Sequence, residues 1–348
     1  MSKKFDVVIG NPPYHSEPAR PGGRGEPLYH LFMDAAFEVG RQAVIITPAR
    51  FLSNAGQTPK VWNEKMLADA HLEVAHFEPD SGQLFPQITD TIKGGIVVTH
   101  RDSERTLGPI GTFTRHPALS GALHKVEKAN APSIMEVVSA KGAFRYTDKM
   151  FEEHPSARQL IPEGSSNMVV GFDNLPFLWH QDNPGDGQNY AAMYGLQSTK
   201  RVVRYVRRDY VSGPASFDKW KVAIAAANGT GATTDFFGLP LTNPFVLGPG
   251  VGATLTFMTI GAFSSETEAD ACLNYLRTKF ARAMLGVLKV TQHNPRGTWK
   301  YVPAQDFSAN SDIDWTKPIP EIDQQLYAKY GLAAEEIAFI EDNVKPME

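Results

Sequence analysis

Apolar residues in the first part of the chain fall into short continuous runs that alternate with longer stretches of helical spacing. Short runs rich in β-branched side chains are typical of buried strands, whereas apolar residues three and four positions apart predict amphipathic helices. On these criteria the predicted strands are Phe5–Ile9, Ala43–Thr47, Leu72–Phe77 and 94–101, and the predicted helices are 27–40 and 61–70. A strand, a crossover helix and a second strand form a βαβ unit, so this region predicts an α/β sheet.

The pattern breaks around residues 102–109, which predicts a domain boundary there. We therefore expect one domain over residues 1–105, a second over 106–310 and an acidic helical tail over 311–348. In the second domain, 254–260 is a predicted strand. A helix capped by Ser264 or Ser265 is predicted to continue to Leu288. The polar side of that helix is expected to carry four cations, Arg277, Lys279, Arg282 and Lys289.

Composition narrows the possible functions of the chain. The 348 residues are 42% hydrophobic, enough for two cores of ordinary size. The net charge of −4 is not that of a protein that binds nucleic acid over its whole surface, so any DNA contact requires a local basic patch. The single cysteine, Cys272, excludes an internal disulfide and argues against a cysteine-rich zinc site. No apolar run has transmembrane length and no signal peptide is evident, which favours a cytoplasmic protein without membrane contact.

The sequence Gly10-Asn11-Pro12-Pro13-Tyr14 directly follows the first predicted strand. The prolines stiffen the turn because each fixes φ and removes a backbone donor. The Asn11 side chain and the Pro12 carbonyl are two acceptors that can hold the N–H groups of an exocyclic amine on a nucleobase. Such binding favours a tetrahedral nitrogen with a free lone pair. Tyr14 offers a flat ring on which a base turned out of a duplex can stack.

Asn-Pro-Pro-Tyr after an apolar strand resembles the catalytic motif of the adenine-specific DNA methyltransferases of type II restriction-modification systems. A helix, a strand and the segment Pro48-Ala49-Arg50-Phe51-Leu52 follow the motif in that family's order. The resemblance implies transfer of a methyl group from S-adenosylmethionine to the N6 amine of a flipped adenine in double-stranded DNA. The catalytic residues would be Asn11, Pro12, Pro13 and Tyr14, with Phe85 stacking on the other face of the base. Methyltransferases that act on glutamine side chains or ribosomal guanine share the motif.

The same resemblance implies a partial Rossmann-like methyltransferase sheet followed by an α+β target-recognition domain. In the family, the S-adenosylmethionine loop precedes the Asn-Pro-Pro-Tyr strand, and only Met1–Lys4 precede it here. Three arrangements follow: a separate polypeptide carries the cofactor-binding half, the chain is a fragment or a decayed gene, or the order is permuted. In a permuted chain the glycines at 248–252 would be the cofactor loop, although they precede a predicted strand rather than a helix.

The alternative function is a non-catalytic DNA-binding or specificity subunit, or an inactive remnant, that needs a separate cofactor-binding chain. A restriction endonuclease is a further possible partner. Cleavage by a fused nuclease is disfavoured because no pair of carboxylates with a nearby lysine has nuclease spacing.

The stretch from Lys200 to Arg208 holds five cations and no anion, which is notable in an acidic chain. It predicts contacts with DNA phosphates, with an ordinary solvated basic strand as the alternative. Residues 275–282 and 299–303 resemble the end of the family's target-recognition domain, and the loop of Gln292, His293, Asn294 and Arg296 has side chains suited to reading base edges. The predicted DNA-binding residues are Lys200, Arg201, Arg204, Arg207, Arg208, Arg277, Lys279, Arg282, Arg296 and Lys300.

Overall fold

A computed structural model describes residues 4–17, 25–53, 57–85, 92, 94–114, 116, 119–161, 163–168, 172–198, 200–228, 237–242, 244–289 and 291–347. The chain divides into two units of mixed α/β structure, Met1–Ser120 and Gly121–Glu348. In the described part of the chain, no helix is both long and apolar enough to span a lipid bilayer.

The first unit is built on a four-stranded sheet. Its strands are β1 (Phe5–Gly10), β2 (Gly40–Pro48), β3 (Leu72–Glu78) and β4 (Ile96–Asp102), in the order β1-β2-β4-β3. Its helices are α1 (Tyr29–Val39), α2 (Lys60–Ala68) and the short α3 (Ser81–Leu84). The strands and helices predicted for this part of the chain are confirmed, with boundaries that differ by a few residues.

Strand directions decide which chain segments meet at one edge of this sheet. β1 and β2 are parallel, with Val8 opposite Ala43, and β4 runs antiparallel to both β2 and β3. The carboxyl ends of β1, β2 and β3 therefore lie at the same edge as the start of β4. The segments that follow Gly10, Pro48 and Glu78, and the segment that precedes Ile96, are all delivered to that edge.

One face of the sheet packs on a core that includes Met33 of α1, Phe51 and Trp62, and Val8 of β1 packs against it. Successive side chains of a strand point to opposite faces, so Phe5, Val7 and Ile9 share the other face. These three side chains are 57%, 49% and 77% exposed. An apolar strand that is buried on one face only is unusual next to a parallel neighbour, because parallel sheets are normally covered on both faces.

In its described residues, the second unit contains three small sheets and several helices. The sheet orders are β11-β6-β7, β10-β9-β12 and β5-β8. The strands are β5 (Arg145–Tyr146), β6 (Tyr190–Gln197), β7 (Lys200–Arg207), β8 (Val211–Ser212), β9 (Trp220–Ala225), β10 (Phe245–Leu247), β11 (Val251–Ala253) and β12 (Phe257–Phe263). The helices are α4 (Ser120–Lys128), α5 (Asp148–Glu153), α6 (Glu266–Arg277), α7 (Lys279–Gly286), α8 (Ile319–Tyr330) and α9 (Ala334–Asn343).

The prediction of one continuous helix from Ser265 to Leu288 is wrong, because the chain breaks between α6 and α7. Thr278 has extended backbone angles, φ −61° and ψ 150°. Its hydroxyl accepts a hydrogen bond from the Ala281 amide at 3.1 Å and donates to the Tyr275 carbonyl at 2.6 Å. A threonine cap of this kind begins a new helix.

Because of this break, two of the four cations predicted to lie on the polar side of the helix are buried instead. Arg282 is only 2% exposed and Lys289 only 4% exposed. Arg282 donates to the carbonyls of Arg277 and Thr278, so it stabilises the joint between α6 and α7. The assignment of Arg282 and Lys289 to a solvated face is therefore corrected, and Arg282 is left out of the DNA contacts proposed below.

The start of α7 is held by a buried carboxylate from the tail. Asp323 on α8 accepts hydrogen bonds from the amides of Lys279 at 3.0 Å and Phe280 at 2.8 Å. Lys279 also donates to the Glu341 carboxylate of α9 at 2.6 Å. The last two helices thus pack on α7 through polar contacts at its first turn.

We expect this carboxylate to make stability depend on pH. Burial raises the pKa of Asp323 from 3.8 to about 6, against the lowering effect of the two amides. Because the folded-state pKa is the higher one, its contribution to the free energy of unfolding is full below about pH 3.8 and is lost as pH rises through about 6. The loss is on the order of 2–3 kcal/mol. Urea unfolding of the wild type and Asp323→Asn between pH 4 and pH 7 measures it. The free energy of unfolding of Asp323→Asn should depend less on pH than that of the wild type, whereas the exposed Asp270→Asn control should depend on pH as the wild type does. The same pH dependence in the wild type and Asp323→Asn would contradict a role for Asp323.

Candidate active site and nucleic-acid interface

The Asn-Pro-Pro-Tyr turn begins where β1 ends, at the edge of the sheet described above. Asn11 and Pro13 are exposed, whereas Pro12 and Tyr14 are half-buried. The Tyr14 ring packs against the core of the first unit. Among the described residues, the Asn11 side-chain oxygen and the Pro12 carbonyl accept no hydrogen bond.

Hydrogen bonds join the residues that end the turn to the residues that precede α1. The Leu28 amide donates to the Tyr14 carbonyl at 3.0 Å, and the Ser16 amide donates to the Glu26 carbonyl at 2.8 Å. The Glu26 amide donates in return to the Ser16 hydroxyl at 3.0 Å. These bonds hold the turn against the start of α1 and fix it on both sides. Two of them join backbone groups and the third uses the Ser16 hydroxyl, and the sequence pattern did not predict them.

Tyr14 places its hydroxyl in an unusual environment. The oxygen is buried and has no hydrogen-bond partner among the described residues. Burial raises the pKa of Tyr14 above its ordinary value of 10.0. Among the described residues, the Tyr14 ring is thus held by packing rather than by a hydrogen bond of its hydroxyl.

Replacing Tyr14 with phenylalanine should therefore raise the free energy of unfolding by about 1 kcal/mol, because a buried unpaired hydroxyl is removed. The ring surface is kept. Urea denaturation of the two proteins checks the value. Tyr210→Phe is the matched control: its hydroxyl accepts from Arg207 at 3.0 Å and donates to Glu153 at 2.5 Å, so that variant should lose stability. A destabilised Tyr14→Phe would show that the hydroxyl has a partner in solution.

Arg50 is a cation that acts on His15, the residue that directly follows the turn. It follows β2 and lies close enough to lower the pKa of His15, although burial is the larger cause. Gly94, at the approach to β4, has φ +103°, and a Cβ there would lie 2.8 Å from Cγ of Arg50. Glycine at 94 thus leaves room for the Arg50 side chain beside the turn.

Phe85 follows α3 at the same edge of the sheet. Asp80 caps α3 by accepting from the Gly82 amide at 3.0 Å, and the Phe85 amide donates to the Ser81 carbonyl at 2.9 Å. The side chain is half-buried. The neighbouring Pro86 and Gln87 lie outside the described residues, as do residues 18–24 of the loop after Tyr14. Stacking by Phe85 stays a prediction.

The glycines at 248–252 do not form a cofactor loop of the expected kind. Gly248 and Gly250 lie in the turn between β10 and β11, and Gly252 lies in β11, which pairs in parallel with β6, so no helix begins there. Gly248 packs near Trp220. The residues at 248–252 therefore do not fit S-adenosylmethionine, because a cofactor-binding glycine loop would lead into a helix. Among the described residues, no cluster of His, Cys, Asp or Glu could hold a metal ion.

Three of the predicted DNA-binding cations lie on β7 without an ion pair in the described part of the chain: Lys200, Arg201 and Arg204. Lys200 is exposed, and the Arg201 guanidinium lies 5.4 Å from the centre of the Phe257 ring. Arg204 donates to the Gln197 side chain and, at 2.8 Å, to the Val203 carbonyl. β7 is the last strand of its sheet, with a further bridge from Tyr205 to His180. We call these three residues the β7 basic surface; Lys200 and Arg204 lie on one face of the strand and Arg201 on the other.

The other two cations of this stretch bind acidic side chains of the same unit. Arg207 contacts Glu153 at 2.8 Å and Asp209 at 2.6 Å. Arg208 contacts Asp218 at 3.3 Å and lies 4.1 Å from the centre of the Phe217 ring. The positive charges of Arg207 and Arg208 are therefore largely compensated. The sequence did not indicate this, because Glu153 is distant in the chain and Asp218 lies across a turn.

The remaining predicted cations are dispersed. Lys279 is paired with Glu341 at 2.6 Å. Arg296 donates to the Met135 carbonyl at 2.8 Å and to the Glu136 carboxylate at 3.3 Å. Arg277 is half-buried, and exposed Lys300 lies 4.8 Å from the centre of the Tyr301 ring. Among the described residues, Lys300, half-buried Arg277 and the β7 basic surface are thus the cations of the predicted set that are neither fully buried nor paired with an acidic side chain.

Comparison with known proteins gives one family match and two structural ones. Residues 1–85 match the family model of the Eco57I restriction-modification methylase, a segment that includes β1, the Asn-Pro-Pro-Tyr turn and Phe85. This match supports a methyltransferase-related role. Two solved structures are similar to the chain, the type IIG restriction endonuclease BpuSI (13% identity, TM-score 0.35) and the type IIL restriction-modification enzyme MmeI in complex with DNA (10% identity, TM-score 0.38).

Both alignments cover 97% of this chain but only 52% of the BpuSI chain and 56% of the MmeI chain. The chain therefore spans about half the length of these proteins. No curated protein matches it.

Proposed function

We propose that the chain takes part in N6 methylation of adenine in double-stranded DNA, as the catalytic and recognition portion of a restriction-modification methyltransferase. The observation that supports this proposal best is the rigid Asn-Pro-Pro-Tyr turn, with two unoccupied acceptors, inside a segment that matches a methylase family. In this proposal residues 1–105 hold the target base, residues 106–310 recognise DNA, and residues 311–348 brace the recognition part.

The turn prepares the amine for methylation. The Asn11 side-chain oxygen and the Pro12 carbonyl accept hydrogen bonds from the two N–H groups of the adenine amine. The nitrogen then becomes more tetrahedral, and its lone pair is no longer delocalised into the ring. Pro13 keeps these acceptors in place because its φ is fixed. Tyr14 stacks on one face of the flipped base and Phe85 on the other, which compensates for the lost stacking in the duplex.

S-adenosylmethionine supplies an electrophilic methyl group in the reaction that the resemblance implies. The glycine turn at 248–252 leads into a strand rather than a helix, so it does not match the loop that would hold this cofactor. In this proposal the part of this chain in the reaction is to bind and orient the amine.

Phosphate contacts in this proposal come from the β7 basic surface and Lys300. Affinity for duplex DNA rests largely on such lysine and arginine contacts. Arg207, Arg208, Lys279 and Arg296 contribute less, because they already bind acidic side chains.

The decisive experiment incubates the purified chain with unmethylated DNA of mixed sequence and S-adenosylmethionine that carries a tritiated methyl group. Nucleosides from the digested DNA are then separated by chromatography. Label in N6-methyladenine supports the proposal. Label in N4-methylcytosine alone would refute the adenine assignment. In a parallel incubation that also contains a mixture of proteins, label in protein and none in DNA would indicate a glutamine-directed enzyme.

A second candidate function is favoured by the exposed side chains of Phe5, Val7 and Ile9 on β1. In this alternative the chain is a DNA-binding or specificity subunit, and a separate polypeptide that carries the cofactor site covers that face of the sheet. Calorimetry of S-adenosylmethionine binding, with and without DNA, separates the two. Micromolar binding by the chain alone supports an autonomous enzyme, whereas DNA retention without cofactor binding supports the subunit.

A further inference from the structure

A buried ammonium group organises the polar loop after α7. Lys289 is 4% exposed and donates to three consecutive carbonyls, those of Thr291 at 3.2 Å, Gln292 at 3.4 Å and His293 at 3.1 Å. The Asn294 side-chain oxygen lies 2.5 Å from the same nitrogen, so the three N–H groups of the ammonium are shared among four acceptors. Burial lowers the pKa of Lys289 to about 8. Removing an ammonium from water is costly, so this contact set favours one particular backbone path over others.

Asn294 joins the same loop to the end of β9. It is fully buried, and its side-chain nitrogen donates to the Ala225 carbonyl at 2.8 Å and to Asn228 at 3.0 Å. The Asn228 amide donates to the Gln292 carbonyl at 2.8 Å, and the Asn294 amide donates to the Ala226 carbonyl at 3.0 Å. The loop backbone is therefore fixed on two sides, by an ammonium group and by a neighbouring strand end.

These contacts separate the four polar residues of the loop by role. The Asn294 side chain is buried and makes its hydrogen bonds inside the fold, and Arg296 donates hydrogen bonds to Met135 and Glu136. The side chains of Gln292 and His293 are exposed and have no hydrogen-bond partner among the described residues. Their carbonyls point inward to Lys289, so the side chains project from a backbone whose position is set.

We propose that Gln292 and His293 read base edges of the target DNA, and that Lys289 and Asn294 are the positioning residues that hold them in register. The inference rests on the proposed DNA function and deepens it, since it names the loop that discriminates sequences. A glutamine amide can form two hydrogen bonds to an adenine edge in the major groove, and imidazole can donate to or accept from a base. Base reading demands a fixed backbone, because a small displacement breaks paired hydrogen bonds.

The experiment selects duplexes from a random-sequence pool with the full chain and sequences the bound fraction. The wild type should enrich one sequence. Gln292→Ala and His293→Ala, which change exposed side chains, should each lose about 10-fold of preference at one or two positions of that sequence. Affinity for the unselected pool should change less than about 2-fold, because phosphate contacts are kept.

Lys289→Met keeps the side-chain length and removes the ammonium group, with exposed Lys317→Met as the control for lost charge. It should lose preference at the positions that Gln292→Ala and His293→Ala affect. The double variant Lys289→Met with Gln292→Ala should lose little more at the Gln292 position, which a general loss of stability would not produce.

Three results would overturn the inference. If the wild type retains no duplex, the proposed DNA function fails together with it. If the wild type binds the pool but enriches no sequence, the inference fails and general DNA binding stands. If Gln292→Ala and His293→Ala enrich the wild-type sequence unchanged, the loop does not read bases even though the chain recognises DNA.

Discussion

Asn11→Ala should lower methyl transfer to DNA at least about 100-fold, while retention of DNA changes less than about 2-fold. The side-chain oxygen of Asn11 is one of two acceptors for the target amine, and a preorganised hydrogen-bonding group in an active site is worth factors of this size. DNA affinity should persist because the accessible cations lie in other segments of the chain, on β7 and at Lys300. Incorporation of tritiated methyl groups and filter binding measure the two quantities on the same preparation.

The exposed Asn310→Ala variant is the matched control for this loss, since it removes the same group from another exposed site. Tyr14→Phe is the second control, because it keeps the ring surface, and it should retain methyl transfer within about 3-fold. Asn11→Ala with undiminished methyl transfer would remove the Asn-Pro-Pro-Tyr turn from the reaction. A wild-type chain that binds DNA but transfers no methyl group would favour the subunit function instead.

Removal of the β7 basic surface should produce the largest change in DNA binding. The triple variant of Lys200, Arg201 and Arg204 to alanine should weaken binding to mixed-sequence duplex about 10- to 100-fold. Each phosphate contact contributes about 0.9 to the slope of log affinity against log salt, so the slope should become shallower by about 2 to 3. Fluorescence anisotropy at several salt concentrations gives both values.

The control must change the net charge equally. Alanine at Lys128, Lys317 and Lys345 removes the same three positive charges from exposed sites that were not predicted to bind DNA. That variant should keep the wild-type salt slope. If both triple variants weaken binding alike, the effect comes from net charge and the β7 basic surface has no special role. If neither does, the phosphate contacts lie elsewhere.

Sequence analysis located the candidate active site because its signals are local. Phe5–Ile9 is a continuous apolar run, and Asn-Pro-Pro is a rigid exit whatever surrounds it. The βαβ order of the first unit likewise follows from the periods of its apolar residues. The pairing of β4 between β2 and β3 is a property of the fold, yet it only arranges strands that the pattern had already identified.

Charges were harder to interpret than strands. Lys200 to Arg208 looks uniformly basic in the sequence, yet Arg207 and Arg208 bind Glu153, Asp209 and Asp218 in the fold. Lys289 stands among Val287, Leu288 and Val290, and a lone lysine in an apolar run is a signal of burial that helical periodicity had obscured. The same periodicity extended one helix across Thr278, whose capping bonds depend on the exact backbone path.

The sequence by itself determined the elements of the first unit and the residues of the rigid turn, because apolar periodicity and proline stiffness act between neighbours in the chain. Tertiary structure alone decided which cations remain accessible, that Asn294 is buried while Gln292 and His293 are exposed, and that Phe5, Val7 and Ile9 share an exposed face. The physical reason is that burial and ion pairing depend on groups far apart in sequence, such as Lys279 and Glu341, whose meeting no local pattern encodes.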